Sequence, residues 1–150
     1  MIRVQTEDFD LSTEVKALSS DDRQIGAVAS FVGLVRDVNP GAGNQAMTLE
    51  HYPGMTEKLL AEIEAKACDR WPLAATLIIH RVGRLEPGDQ IVLVAAASRH
   101  RGAAFEACQF IMDWLKTDAP FWKLEEADGQ GAWVDAREAD QAARDKWQKT

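Results

Sequence analysis

Apolar and polar positions along the chain change period several times, and each change marks an element. Ile2 and Val4 alternate with polar neighbours, which predicts a short strand. Leu11, Val15 and Leu18 follow at the spacing of one helix face, and the acidic turn Ser19 to Asp22 ends that helix. From Ile25 to Val35 both alternations are apolar, the pattern of a central strand covered on both faces. Asn39 to Asn44, rich in Gly, Asn and Pro, is the most loop-like stretch. Met47 to Tyr52 predicts another strand, stopped by Pro53-Gly54, and Met55, Leu59, Ile63 and Ala67 mark a helix ending near Trp71-Pro72. Strands are expected over Ala75 to Val82 and Gln90 to Ala97, joined by a turn through Glu86-Pro87-Gly88-Asp89. Arg101 to Thr117 carries the strongest helical stripe: Ala104, Phe105, Cys108, Ile111, Met112 and Leu115. Ser98 is its expected cap, and Pro120 forbids continuation. Phe121 to Glu126 and Ala132 to Ala136 flank Asp128-Gly129-Gln130-Gly131 as a hairpin, and the polar end predicts a helix carrying Trp147. Strands arrive in pairs with helices between the pairs, which predicts an α+β fold with a mixed or antiparallel sheet.

Composition narrows the class. The chain of 150 residues falls within the size of one domain, with no repeat or linker to divide it, so a single domain over 1–150 is expected. A net charge of −7 argues against nucleic acid and anionic membrane surfaces, which need a positive field. No apolar run approaches the roughly 18 residues of a membrane span, and no signal peptide is visible, so a cytoplasmic location is expected. Two cysteines, Cys68 and Cys108, exclude a disulfide framework and a four-cysteine metal site. Cys108 lies on the apolar stripe and reads as a buried structural thiol.

The usual catalytic signatures are missing: no Gly-rich phosphate loop, no Gly-x-Ser-x-Gly elbow and no His-Glu-x-x-His helix. His51, His80 and His100 share no ligand spacing of the kind metal sites use, so a metal enzyme is not expected, and no resident cofactor is assigned. What stands out is cations in an acidic protein. Arg36 opens the Gly-rich loop. Arg99-His100-Arg101 sits between a strand end and a helix start, where free N–H groups and the dipole favour an anion. Lys116 closes that helix, Lys123 lies in the strand after Pro120, and Arg137 follows the last strand. Each alone reads as a solvated surface charge, as most Lys and Arg are, and Lys116 equally well as a complement to the helix dipole. Most of them fall at element ends, where loops build sites on a rigid scaffold.

Longer blocks carry a resemblance. Phe31-Val32-Gly33-Leu34-Val35-Arg36, Leu49-Glu50-His51-Tyr52-Pro53-Gly54-Met55 with Thr56-Glu57-Lys58, Ile79-His80-Arg81-Val82-Gly83 with Pro87-Gly88-Asp89, and Ser98-Arg99-His100-Arg101 occur in order. Ala104-Phe105-Glu106-Ala107, Phe110-Ile111-Met112-Asp113, Leu115-Lys116, Ala119-Pro120-Phe121-Trp122-Lys123 and Trp133-Val134-Asp135-Ala136-Arg137 follow. Together they resemble the large, catalytic subunit of molybdopterin synthase over about residues 25 to 140.

The resemblance implies an α/β-hammerhead fold, a homodimer, and a heterotetramer with two small ubiquitin-like sulfur-carrier subunits. The partner's C-terminal Gly-Gly carries a thiocarboxylate, and two sulfur transfers convert cyclic pyranopterin monophosphate into the dithiolene molybdopterin. The family's two catalytic lysines match Lys116 and Lys123; its anion-binding residues match Arg36, His100, Arg101 and Arg137. Leu124, where the family is often basic, and Asp135 in place of Glu depart from the pattern without touching the matched positions. Sulfur arriving on a partner explains why the chain shows no catalytic cysteine or metal set. Arg and Lys suit a phosphate, and a lysine among other cations can carry a lowered pKa fit for proton transfer. A contrasting reading is a dimeric module that binds an anionic metabolite without turnover; retention of both lysines weighs against it.

Overall fold

The computed structural model describes residues 1–37, 46–118, 121–127, 130–134 and 138–149, with side chains described over 1–37, 46–118, 121 and 141–148. The elements run β1 (Ile2–Gln5), α1 (Leu11–Ser19), β2 (Ala27–Leu34), β3 (Met47–His51), α2 (Met55–Arg70), β4 (Leu73–Arg81), β5 (Gly83–Leu85), β6 (Gln90–Ser98), α3 (Arg101–Asp118), β7 (Phe121–Ala127), β8 (Gln130–Val134) and α4 (Glu138–Asp145), closed by a 3-10 turn at Lys146–Lys149. Two four-stranded sheets result, ordered β1-β4-β6-β2 and β5-β3-β7-β8. Among the described residues only the β1–β4 pair is parallel, so the expected α+β class with mixed and antiparallel pairing is what forms.

β4 and β6 are the central strands of the first sheet, and their continuous apolar runs follow from cover on both faces. Ile78, Val92, Val94 and Ala96 face α2 and α3, packing with Leu60, Ile63, Ala104, Phe110 and Ile111. The alternate positions Leu77, Ile79, Leu93 and Ala95 pack with Phe9 on the α1 side. A third cluster of Val35, Met47, Leu49 and Leu85 fills the second sheet. β5 leaves β4 after one residue, so the second sheet hangs on the end of the first where β6 begins.

Several expectations need correcting. The 25–35 run is not a central strand: β2 pairs only with β6 among the described residues and forms the sheet's edge. Its two apolar alternations are real, because Ala29 packs toward α3 and Val28 and Val32 toward the α1 side. Cover on both faces and hydrogen bonding on both edges are independent, and periodicity reports only the first. In α2 the buried face is Thr56, Leu60, Ile63 and Ala67, while Met55 is exposed. Both stripes are apolar, and the docking of α2 on the sheet selects the one that carries Leu60. Ser98 does not cap α3. Its side chain is buried, and its Oγ donates to the Pro72 carbonyl at 2.9 Å, tying the end of β6 to the α2–β4 connection. Strand β5 lies where only a turn was expected, since three residues are too few for a periodic signal.

The C-terminal turn docks through aromatics. The Arg70 guanidinium lies over the rings of Trp71, Phe110 and Trp147, and Trp147 Nε1 donates to Asp113 Oδ2 at 2.6 Å. Trp147 thus sits just after the closing helix rather than within it.

Candidate active site

Lys116 is exposed in the last turn of α3, directly after the buried Leu115. Ala104, Ala107, Cys108, Phe110, Ile111, Met112 and Leu115 bury the helix, so its packing face is complete without the lysine. Cys108 sits in that face: its thiol points at the Val94 carbonyl at 3.7 Å, and burial pushes its pKa up to about 11. The expected structural thiol is therefore what the fold contains. Lys123 occupies β7 opposite Leu49 of β3 and Val134 of β8.

At the other end of α3, His100 and Arg101 are both exposed. No acidic residue stands in the first turn, so Arg101 opposes the helix dipole there. The preceding backbone is pressed against the start of β2: Gly26 N–H donates to the Ser98 carbonyl at 3.0 Å, and a Cβ at Gly26 would lie 2.3 Å from the Arg99 carbonyl oxygen. Only glycine fits there without moving the Arg99–Arg101 turn.

Arg36 is exposed just beyond β2. Val35 N–H donates to the Asp89 carbonyl at 2.8 Å and Gly88 N–H to the Val35 carbonyl at 2.7 Å, which fixes the point from which Arg36 departs.

Register sorts these residues into two groups. β2 and β6 pair with Ala27 opposite Ser98 and Leu34 opposite Gln90. Arg36 therefore lies past the Gln90 end and the His100–Arg101 turn past the Ser98 end. The steps from Ala27 to Leu34 span roughly 23 Å. α3 packs back over β6 and β2 and carries Lys116 about 22 Å from Arg101, toward the Gln90 end. Phe121, which opens β7, stacks on His80, and His80 pairs with Val92 near the same end. Lys116, the strand bearing Lys123, and Arg36 thus share one end of the molecule, while His100 and Arg101 take the other. Arg137 lies outside the described residues.

A family model described as MoaE protein matches residues 4–118. A molybdopterin synthase catalytic subunit from Ralstonia nicotianae is 60% identical over 146 residues, covering 97% of this chain and 83% of that protein. The chain belongs to the MoaE family. It is thus a molybdopterin synthase catalytic subunit, an enzyme component of molybdenum cofactor biosynthesis. The molybdopterin biosynthesis MoaE protein from Burkholderia ambifaria superposes with a TM-score of 0.86 at 55% identity, covering 99% of this chain and 97% of that one. A Helicobacter pylori structure, described as a protein–protein complex of subunits 1 and 2 of molybdopterin-converting factor, shares the fold at a TM-score of 0.75 and 20% identity, covering 91% of each chain.

In this MoaE chain the described residues contain no group of three or more His, Cys, Asp or Glu able to hold a metal, and no helix long and apolar enough to cross a membrane. Sequence reasoning treated His51 and His80 only as possible ligands. The structure places both against Phe121: the His80 ring stacks at 3.8 Å and 17°, and the His51 ring lies 6.3 Å away. No local pattern marks such a cluster, because its rings come from β3, β4 and β7.

Proposed function

We propose that this chain supplies the sulfur-transfer site of molybdopterin synthase, acting on cyclic pyranopterin monophosphate with sulfur from the thiocarboxylate at the Gly-Gly end of a small ubiquitin-like partner. The observation that carries the reading is Lys116: an exposed lysine that the packing of α3 does not need, on the same end of the molecule as the strand bearing Lys123. Lys116 acts at the thiocarboxylate carbonyl, as proton-transfer group or transient amine nucleophile, and Lys123 stabilises the reacting anionic centre. Arg36, His100, Arg101 and Arg137 hold the phosphate and the pterin. No resident cofactor or metal enters the scheme, because the partner delivers the sulfur.

The whole chain, 1–150, acts in this reading as one large-subunit domain of the α/β-hammerhead type, located in the cytoplasm. Two copies form a homodimer, and two small subunits complete a heterotetramer. The Helicobacter pylori assembly of two subunits supports such a pairing. The separation within α3 supports the dimer: about 22 Å between Arg101 and Lys116 is too far for both to meet one small pterin from the same chain. A pocket completed by the His100–Arg101 turn of a second copy resolves this. The edge of β2, which pairs with no further strand among the described residues and exposes Phe31 and Leu34, is a surface suited to self-association.

The test mixes purified protein, thiocarboxylated small partner and cyclic pyranopterin monophosphate, and looks for a dithiolene pterin. Product formation is expected. Measurable pterin binding with no product would favour a binding module instead.

A further inference from the structure

Phe121 is the hinge between the two sheets. It packs both on the main core and on the Val35–Met47–Leu49–Leu85 cluster of the second sheet. It is also the first residue of β7, between the helix that ends after Lys116 and the strand position of Lys123. Its ring is met from the first sheet by the buried His80, nearly parallel at 3.8 Å, and from β3 by His51, its cross-strand partner. The His80 ring is itself fixed. Nδ1 lies 2.9 Å from the Arg81 carbonyl, which can only accept, so Nδ1 carries the proton. Arg81 in turn donates to the carbonyls of Thr6 and Gln90, which ties that strand end to β6 and to the loop after β1. A rigid mount therefore leads from the central sheet through one imidazole face to the start of β7.

We infer that His80 is a positioning residue for sulfur transfer: through its stack on Phe121 it sets where β7, and with it Lys123, stands relative to Lys116. The inference rests on the proposed roles of the two lysines. A flat ring is required at position 80, because an aliphatic side chain of similar bulk fills the space yet leaves Phe121 free to slide and tilt. Small displacements of a reacting group are costly, about 10²-fold in rate for roughly 1 Å.

The test uses the assembled synthase with thiocarboxylated small partner and measures kcat and KM for cyclic pyranopterin monophosphate, alongside thermal melting, for His80→Leu, His80→Phe, Phe121→Leu, the double variant His80→Leu/Phe121→Leu, and Lys123→Ala. His80→Leu should lower kcat about 10- to 100-fold with KM within about twofold, and His80→Phe, which keeps the stacked ring but lacks the donor to the Arg81 carbonyl, should lose clearly less than His80→Leu. The double variant should be no slower than the slower single one, since both act through one contact. An unchanged kcat in His80→Leu, an equal loss in His80→Phe, a loss that only tracks the folded fraction, or losses that multiply in the double variant would each overturn the inference. If His80→Leu does not fold, Phe121→Leu against Phe121→Tyr carries the same comparison. Lys123→Ala separates the two levels: full turnover there refutes the assigned lysine role, whereas an inactive Lys123→Ala beside fully active His80 variants refutes only the positioning role.

Discussion

Lys116 follows Leu115 on α3, and one step around the helix separates a core residue from an exposed one. Because Lys116 is exposed and the buried face of α3 is complete without it, Lys116→Ala should cost only about 0.3–1 kcal/mol, the worth of a cation at a helix C-terminus. Loss of a positioned proton-transfer group typically costs about 10²–10⁴ in rate, so turnover should fall by that factor while the melting temperature barely moves. Near-parental turnover in the variant would remove Lys116 from the reaction. The two thiols make a second test at this scale. Cys108 is buried with a pKa of about 11, whereas Cys68 is exposed with a pKa raised by partial burial and by Glu64. At pH 8 about one thiol in a thousand would be ionised at Cys108 even if it were reached. A thiol-reactive dye should therefore label Cys68 alone in the native protein and both cysteines in denaturant. Native labelling of both would mean that α3 does not seal its core face.

At the scale of elements, α3 is the axis of the account: it holds Lys116 at one end, Arg101 at the other, and the core between. Phe110, 1% exposed and ringed by Trp71, Trp114 and Trp147, anchors it, so Phe110→Ala should lose about 3–5 kcal/mol in urea unfolding. The Arg99–Arg101 turn depends on the missing side chain at Gly26. Gly26→Ala must displace the Arg99 carbonyl and with it the basic residues that follow, so affinity for the cyclic pterin should fall about tenfold or more while small-subunit docking stays unchanged. Unchanged pterin affinity would exclude that turn from the substrate site. Most of these elements were legible in the sequence, because α3, β4 and β6 bury long apolar runs whose period is set locally. What was not legible depends on partners distant in the chain. β2 looks central because both its alternations are apolar and each packs on a core cluster, although among the described residues its outer edge pairs with no strand. α2 offers two apolar stripes, and only docking selects the Leu60 one. Ser98 has the chemistry of a cap but meets the Pro72 carbonyl first. The proposed site residues were picked out by resemblance and by charge at element ends; their division between two ends of the molecule follows from the register of β2 on β6 and could not be counted from spacing. Glycine at position 26 and the rings around Phe121 leave no periodic trace at all.

For the molecule as a whole, that division is what the proposed function must accommodate. One chain presents Lys116, β7 and Arg36 toward one end, with Arg101 about 22 Å from Lys116 along α3. In the proposed reading a complete pocket needs two copies, each lending its basic turn to the other. The most direct measurement mixes two variants in one dimer. Lys116→Ala and Arg101→Ala, each prepared alone, should form little or no dithiolene pterin. Co-expressed with different tags and purified as the random mixture, half of the dimers pair one variant with the other, and each such hybrid contains one pocket with both ends intact. Recovery of about a quarter of the parental turnover is expected in that mixture. Turnover no higher than the two variants give separately would contradict it, because it would mean that Lys116 and Arg101 of the same chain serve the same pocket.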